Sequence, residues 1–185
     1  MKKILVPLAG GFEEIEAVTV IDVLRRAGFR VETASLDAKT VAGAHGLSVV
    51  ADLTLEDALK ADYDALVLPG GQPGTDHLRK DNRVLGLVRK MRDGGKWVAA
   101  ICAAPLVLRD AGIADGLELT SYPGLEGEFS ASRYRADSVV VDGTVVTGRG
   151  PGVAMVFALK LVELIAGPAE KDRLSCQMVC PPVKS

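Results

Sequence analysis

Short apolar runs alternate with helical patterns along this chain, and this alternation limits the possible folds more than any other feature of the sequence. The pattern predicts strands at 3–8, 30–35, 65–68 and 97–101 and helices at 13–27, 82–92, 103–111 and 152–166. Each of these helices is followed by a glycine within two residues, as is common at helix ends. Strands that alternate with helices are typical of βαβ units, so an α/β fold with a mostly parallel sheet is predicted.

Two shorter features complete the pattern. Residues 47–51 are predicted to form a strand before a helical turn at 55–58. Asp142-Gly143, between apolar runs at 139–141 and 145–147, is a strong β-hairpin signal. The chain has no internal repeat and no linker, so residues 1–185 are predicted to form one domain.

The composition fits a buried sheet covered by helices and argues against several partners. Alanine, valine, leucine and glycine dominate, and aromatic residues make up only 4%. The 22 Lys+Arg and 24 Asp+Glu residues nearly balance, so no nucleic-acid partner is expected. The sequence lacks the uninterrupted apolar run of about 18 residues that a membrane span needs, so no membrane partner is expected either. The N-terminal apolar run is too short for a signal peptide, which favours a cytoplasmic protein.

The three cysteines follow no common metal or disulfide pattern. Cys102, Cys176 and Cys180 are odd in number, and their spacing matches no usual zinc site. The sequence also lacks a phosphate-binding loop and a complete dinucleotide fingerprint, so neither a cofactor nor a metal is expected. On a helix, Cys176 and Cys180 would share a face, where packing is one interpretation and a reversible disulfide the other.

The predicted strands direct attention to three segments, at 10–16, 69–75 and 102–105. Each follows a strand, and open parallel sheets bind ligands at the carboxyl ends of their strands. Cys102 ends an apolar strand and begins a helix, which is the geometry of a nucleophile elbow. Helix N-terminal N–H groups at such a place stabilise a thiolate. The alternative is a buried cysteine that packs as a small apolar residue, and this residue alone does not decide between the two.

Paired glycines follow a second apolar strand. Gly70 and Gly71 would let backbone N–H groups face an anion or an oxyanion, although a tight turn uses glycine equally well. His77 follows the same loop and would be needed for a Cys–His pair, but a surface position is the favoured interpretation.

Three glutamates open the first helix. Acidic residues in a first turn complement the helix dipole, and this alone would explain all three. Helical spacing, however, places Glu16 near Phe12 and Ile15, so Glu16 is expected to face inward while Glu13 and Glu14 face solvent. A buried Glu16 carboxyl would tend to be protonated and could donate a hydrogen bond.

Taken in order, these motifs resemble those of the DJ-1/ThiJ/PfpI superfamily and, within it, of the DJ-1-like branch. The resemblance runs along nearly the whole chain. It is carried by GFEEIE at 11–16, VLRRAG at 23–28, LEDA at 55–58, LPGG at 68–71, AAICAAP at 99–105 and TGRGPG at 147–152. Each segment alone is modest evidence, whereas the ordered set is specific.

The resemblance implies a flavodoxin-like three-layer sandwich, usually a homodimer. It implies that Cys102 is a reactive, oxidation-sensitive cysteine and that Glu16 is the carboxyl that hydrogen-bonds its sulfur. It also implies an oxyanion and substrate site lined by the backbone of Gly70, Gly71 and Ala103. Family activities include glutathione-independent glyoxalase, deglycase, chaperone-like protection and sensing of oxidative stress.

Three positions depart from the family patterns. Tyr122 stands where the DJ-1-like branch usually has a histidine, and Ala103 stands where the protease-like branch has one. A phenol ordinarily ionises near pH 10, so Tyr122 would be a poor general base at neutral pH, although it could still hydrogen-bond at a catalytic site. His45 occupies the place of an arginine that lies near the dimer-related site in human-type members.

Two function hypotheses of different classes follow from the resemblance. In the first, Cys102 attacks small reactive carbonyls such as methylglyoxal and forms a hemithioacetal. In the second, the protein is a non-catalytic redox sensor or protective chaperone that uses oxidation of Cys102. An amidotransferase-like hydrolase is a third possibility, but the sequence offers no histidine partner at the expected place.

Overall fold

The computed structural model describes residues 1–181, and its elements alternate as the sequence predicts. The strands are β1 (Lys3–Leu8), β2 (Arg30–Ser35), β3 (Thr40–Ala42), β4 (Ser48–Val50), β5 (Leu53–Thr54), β6 (Ala65–Leu68), β7 (Trp97–Ile101), β8 (Glu118–Leu119), β9 (Arg133–Tyr134), β10 (Val139–Asp142) and β11 (Val145–Gly148). The α-helices are α1 (Glu14–Arg26), α2 (Leu55–Ala58), α3 (Gly74–Lys80), α4 (Asn82–Asp93), α5 (Pro105–Asp110), α6 (Ala154–Ala166) and α7 (Pro168–Gln177). Short 3-10 helices form at Glu126–Phe129 and Pro151–Val153.

A seven-stranded, mostly parallel sheet forms the middle layer. Its strand order is β10-β11-β7-β6-β1-β2-β5, and only β10 runs antiparallel to its neighbour. β1 lies inside the sheet and pairs in parallel with β2 on one side and β6 on the other. The carboxyl ends of β1, β6 and β7 therefore meet at one edge of the sheet, which is where a ligand site is expected.

Helices cover both faces of this sheet. One apolar core lies between the sheet and the α3, α4 and α5 helices, with residues such as Leu78, Val88 and Leu108 fully or almost fully buried. The other lies between the sheet and the α1, α6 and α7 helices, where Phe157 and Leu174 are fully buried. The predicted flavodoxin-like three-layer sandwich is thus confirmed, because strands buried on both faces need helices on both sides.

Several elements differ from the sequence-based expectation. The α5 helix starts at Pro105 rather than at residue 103, because residues 102–104 form the turn that follows β7. The α6 helix begins at Ala154, after a 3-10 turn. The sequence pattern does not predict the short β3 strand, which pairs antiparallel with β4 across Thr40↔Val50 and Ala42↔Ser48.

None of the helices in the described part of the chain combines the length and the apolar run needed to cross a membrane.

Candidate active site

The three segments predicted to hold a site meet at the carboxyl edge of the sheet. The Glu13 N–H donates to the Gly70 carbonyl at 2.9 Å, which joins the segment after β1 to the segment after β6. The Gly70 N–H donates in return to Oε2 of Glu16 at 2.8 Å. The Tyr122 N–H donates to the Cys102 carbonyl at 2.8 Å and holds a fourth segment against the turn after β7.

Cys102 has the strained backbone of a nucleophile elbow, as predicted. Its φ is 65°, in the left-handed region that side chains other than glycine seldom adopt. Its N–H donates to the Gly148 carbonyl at 2.9 Å, so the β7–β11 pairing continues into the elbow and fixes this conformation. The residue is only 8% exposed, and strain of this kind persists where the surroundings enforce it.

Two opposing influences act on the Cys102 thiol. Burial raises its pKa to about 12, and the Glu16 carboxylate adds to the rise, whereas hydrogen bonds from the Ala103 and Gly71 N–H groups lower the pKa. The expected stabilisation by backbone N–H groups is therefore present. It is outweighed mainly by burial, and repulsion between a thiolate and the Glu16 carboxylate adds to the rise in pKa.

Glu16 faces inward, as its helical position predicts. The residue is completely buried, and burial raises the pKa of its carboxyl to about 7. Oε2 accepts the Gly70 N–H, while Oε1 has no nitrogen or oxygen partner among residues 1–181. Its contact with the Cys102 thiol contributes to the pKa values of both groups.

Glu16 and Cys102 are therefore coupled, so that the protonation state of one changes the pKa of the other. When Glu16 holds the proton, the carboxylate repulsion disappears and the acid O–H can donate to the sulfur. The thiolate then keeps the Ala103 and Gly71 N–H groups as further donors.

Both glycines after β6 are required by close packing. A Cβ at Gly70 would lie 2.7 Å from both the Cys102 Cβ and Oε2 of Glu16. Gly71 has a φ of 96°, and a Cβ there would lie 2.4 Å from the Glu13 nitrogen. Gly70 departs from its predicted role, because its N–H is already bonded to Glu16 and is not free to stabilise an oxyanion.

A cavity of about 730 Å³ opens above the sulfur. It is lined by Glu13, Glu14, Ile15, His45, Leu47, Gly71, Gln72, Cys102, Ala103, Tyr122 and Pro151. Four of the six predicted site residues line this cavity, namely Gly71, Cys102, Ala103 and Tyr122, whereas Gly70 and Glu16 do not. Glu16 lies beneath the cavity and reaches it through the sulfur.

Tyr122 lies at the rim of the cavity and is 49% exposed. Its ring lies beside Gly150, where a Cβ would be 3.3 Å from the ring carbon Cδ2. The structure therefore brings Tyr122 to the cavity that contains Cys102, as predicted. A catalytic role for Tyr122 stays a prediction.

The expectation that Glu13 and Glu14 face solvent is wrong, because both are buried. Glu13 caps α1 by accepting the Glu16 N–H at 2.7 Å. Glu14 accepts the His45 N–H at 2.6 Å and the Leu47 N–H at 3.3 Å, and it also bonds the His45 ring. The turn between β3 and β4 thus covers the start of α1. No local sequence pattern predicts this long-range contact.

The remaining candidates lie elsewhere. His77 is exposed in α3, and its ring bonds the Gly10 carbonyl at 2.9 Å, away from the Cys102 cavity. Cys176 is exposed in α7, whereas Cys180 lies beyond the end of that helix. The two cysteines therefore do not share a helical face, because the chain leaves the helix between them.

A parallel three-layer sandwich with a buried cysteine at a left-handed elbow, beside a buried carboxyl, defines a class of flavodoxin-like proteins built around a nucleophilic thiol. The comparisons with known proteins place the chain within that class. The sequence model of the DJ-1/PfpI family matches residues 2–164, and the chain belongs to this family.

Individual relatives agree with this assignment. The chain is 41% identical to protein dj-1beta of Drosophila melanogaster, over 90% of each sequence. It is 35% identical to a protein of Pyrococcus horikoshii named a deglycase, over 88% of this chain and 99% of that protein. Among solved structures, it is similar to Drosophila melanogaster DJ-1beta, with a TM-score of 0.95, 38% identity and coverage of 98% and 99% of the two chains. An oxidized DJ-1 of Toxoplasma gondii gives a TM-score of 0.94 at 36% identity, covering 97% of this chain and 98% of that one.

Proposed function

We propose that this protein is a cysteine-dependent stress-response protein that acts on small reactive carbonyls such as methylglyoxal. The observation that carries the proposal is the Cys102–Glu16 pair at the floor of an open cavity, with two backbone N–H groups directed at the sulfur. The relative named a deglycase supports it, because that name implies chemistry on carbonyl adducts.

The proposed reaction begins with attack by the Cys102 sulfur. A C–S bond forms to the aldehyde carbon, and the carbonyl electron pair moves to oxygen. The Gly71 and Ala103 N–H groups stabilise that oxyanion, and Glu16 gives up its proton to form the hemithioacetal. An acid with a pKa of about 7 suits this exchange at neutral pH.

The second half of the reaction needs no external oxidant. Glu16 takes the C1 proton and returns it to C2, while the proton of the C1 hydroxyl moves to the C2 oxygen, so C1 is oxidised and C2 is reduced. The product is a thioester of a 2-hydroxy acid on Cys102. Water then breaks the C–S bond, which releases lactate and restores the thiol.

Turnover of methylglyoxal to lactate by the purified protein is the direct test. Cys102→Ser should lose nearly all activity, because a serine hydroxyl beside Glu16 is a far weaker nucleophile. Cys176→Ser, which changes a thiol outside the cavity, is the matched control and should keep wild-type turnover. Equal lactate production by the wild type and Cys102→Ser would contradict the proposal.

A redox sensor or protective chaperone is the second candidate. It is favoured by Tyr122, which offers no imidazole at the cavity rim, and by the relative solved in an oxidized state. Limited peroxide followed by peptide mass spectrometry should then find sulfenic or sulfinic acid at Cys102 first. Earlier oxidation of Cys176 or Cys180 would contradict the sensor, because those thiols lie outside the site.

We also propose that the protein acts as a cytoplasmic homodimer. Two apolar residues that line the cavity are exposed, Ile15 at 57% and Leu47 at 62%, and Val18, one helical turn after Ile15, is 48% exposed. Adjacent exposed apolar residues are typical of a surface that a partner covers. Unpaired cysteines fit a reducing compartment.

A further inference from the structure

We propose that Glu13, Glu14 and His45 form a binding site for a divalent transition-metal ion, best suited to Zn²⁺, at the mouth of the Cys102 cavity. One ligand atom from each residue lies within 4.8 Å of the other two. Neither the family resemblance nor the proposed carbonyl chemistry assigns such a site, and the inference stands independently of both.

The distances between ligand atoms suit a metal ion. The Nδ1 atom of His45 lies 2.9 Å from Oε2 of Glu14 and 3.9 Å from Oε1 of Glu13. With Zn–N and Zn–O bonds of roughly 2.0–2.2 Å, two ligand atoms at a tetrahedral zinc are about 3.4 Å apart. The two measured distances lie on either side of that value, so shifts of about half an ångström would complete the coordination.

Glu13 provides a second indication of a bound cation. Its side chain is only 9% exposed, and its Oε2 atom accepts the Glu16 N–H. Its Oε1 atom accepts no hydrogen bond from residues 1–181, although Glu13 lines the cavity and this atom is directed at the His45 ring. This carboxylate oxygen faces the open cavity, and a cation between Glu13 and His45 would neutralise its charge.

The two carboxylates are held in place before any metal binds. Glu14 accepts the backbone N–H groups of His45 and Leu47 at Oε1, which leaves Oε2 free to bind a metal once the histidine proton has left. Glu13 is fixed by its role as the cap of α1. Such supporting hydrogen bonds orient metal ligands and strengthen binding.

His45 is the adjustable member of the set. Its side chain is 71% exposed, so the ring can move toward Glu13 without disturbing the core. On metal binding, the proton between Nδ1 and Glu14 would leave to solvent and the nitrogen lone pair would bind the ion. Three protein ligands leave a fourth position open to the cavity, as in zinc sites that also bind water or a small molecule.

Calorimetric titration of the chelator-treated full-length protein with Zn²⁺ tests the proposal. One ion should bind per chain, and His45→Ala should raise the Kd by at least about 100-fold, because it removes a ligand. His77→Ala is the matched control, since it removes an exposed histidine away from the cavity, and should bind as the wild type does. Absence of Zn²⁺ binding, or equal binding by His45→Ala, would overturn the proposal.

Two further variants separate this site from the neighbouring thiol. Cys102→Ala should keep its Zn²⁺ affinity, and the Co²⁺-loaded protein should show no thiolate-to-cobalt charge-transfer band. Loss of binding in Cys102→Ala would assign the ion to the sulfur and refute the carboxylate–histidine site. Glu13→Gln keeps an oxygen that can cap α1 but removes the negative charge, so it should weaken Zn²⁺ binding. This variant leaves the β3–β4 turn unchanged and therefore tests the site even if His45→Ala disturbs that turn.

Discussion

At the scale of single residues, Glu16 and Cys102 are the two coupled groups at the centre of the candidate site. Burial and the neighbouring Glu16 carboxylate together raise the pKa of the Cys102 thiol to about 12. Burial also raises the pKa of Glu16 to about 7, so this carboxyl can be protonated near neutral pH, and its repulsion of a thiolate is then absent. The acidity of the thiol thus depends on the protonation of the carboxyl.

The raised pKa of Glu16 predicts a specific dependence of stability on pH. The folded pKa is about 7 and the ordinary value 4.5, so the folded state holds a proton that the unfolded state loses. The stabilisation is complete below pH 4.5 and is lost as the pH rises to about 7. Glu16→Gln stays neutral, so over that range it should gain on the order of 3 kcal/mol relative to the wild type.

Urea unfolding at a series of pH values measures this difference. Glu56→Gln, at an exposed position in α2, is the control and should follow the wild-type profile. A constant offset between Glu16→Gln and the wild type from pH 4 to pH 8 would show that Glu16 does not carry the raised pKa.

The side chain at position 122 is expected to limit the rate of the proposed reaction. An imidazole can act as a base near neutral pH, whereas a phenol at the same place seldom can. Tyr122→His should therefore raise methylglyoxal turnover by about 10²-fold, the usual contribution of a positioned general base. Tyr122→Phe is the control and should bring no gain. A folded Tyr122→His variant without added activity would favour the sensor function instead.

At the scale of elements, the sequence predicts what depends on local pattern. The β1, β2, β6 and β7 strands fall where predicted, because strands of a parallel sheet are mostly buried runs between helices. The Asp142-Gly143 hairpin is also confirmed, since its turn residues specify it locally. Cys102 is recognisable from sequence because a strand end, small residues and a following proline coincide there.

The missed features depend on contacts between distant segments. The burial of Glu14 requires the turn at His45, which is brought over α1 by the pairing of β3 with β4. The engagement of the Gly70 N–H by Glu16 depends on how β6 lies beside β1. No spacing within one segment encodes such pairings, so the carboxylate–histidine cluster could not be predicted from sequence alone.

Substitution of two glycines by alanine should have opposite effects on stability, because one glycine lies in a helix and the other in the loop beneath the thiol. Gly86 lies within α4, and a Cβ added there would meet no atom within 4 Å, so Gly86→Ala should stabilise the protein by about 0.5–1 kcal/mol. A Cβ at Gly70 would overlap Cys102 and Glu16, so Gly70→Ala should destabilise it by roughly 1–3 kcal/mol. Denaturant unfolding measures both values, and equal effects of the two substitutions would contradict this account of the loop.

At the scale of the whole molecule, the Cys102 cavity adjoins an exposed apolar surface. Ile15 and Leu47 both line the Cys102 cavity and are largely exposed at its mouth. Val18 follows one helical turn after Ile15 on α1 and extends the same surface. A partner on this surface would narrow the cavity entrance, so assembly and access to Cys102 would be coupled.

The proposed homodimer predicts a change in mass on a single substitution. In a two-fold interface every substitution occurs twice, so Val18→Asp would place two carboxylates in an apolar contact. Light scattering after size exclusion should find a dimer for the wild type and a monomer for Val18→Asp. Val141→Asp is the matched control: Val141 is 39% exposed on β10, the edge strand farthest from β1 on its side of the sheet. Its mass should stay that of the dimer. If the wild type is a monomer, or if both variants dissociate alike, the cavity mouth is not the dimer interface.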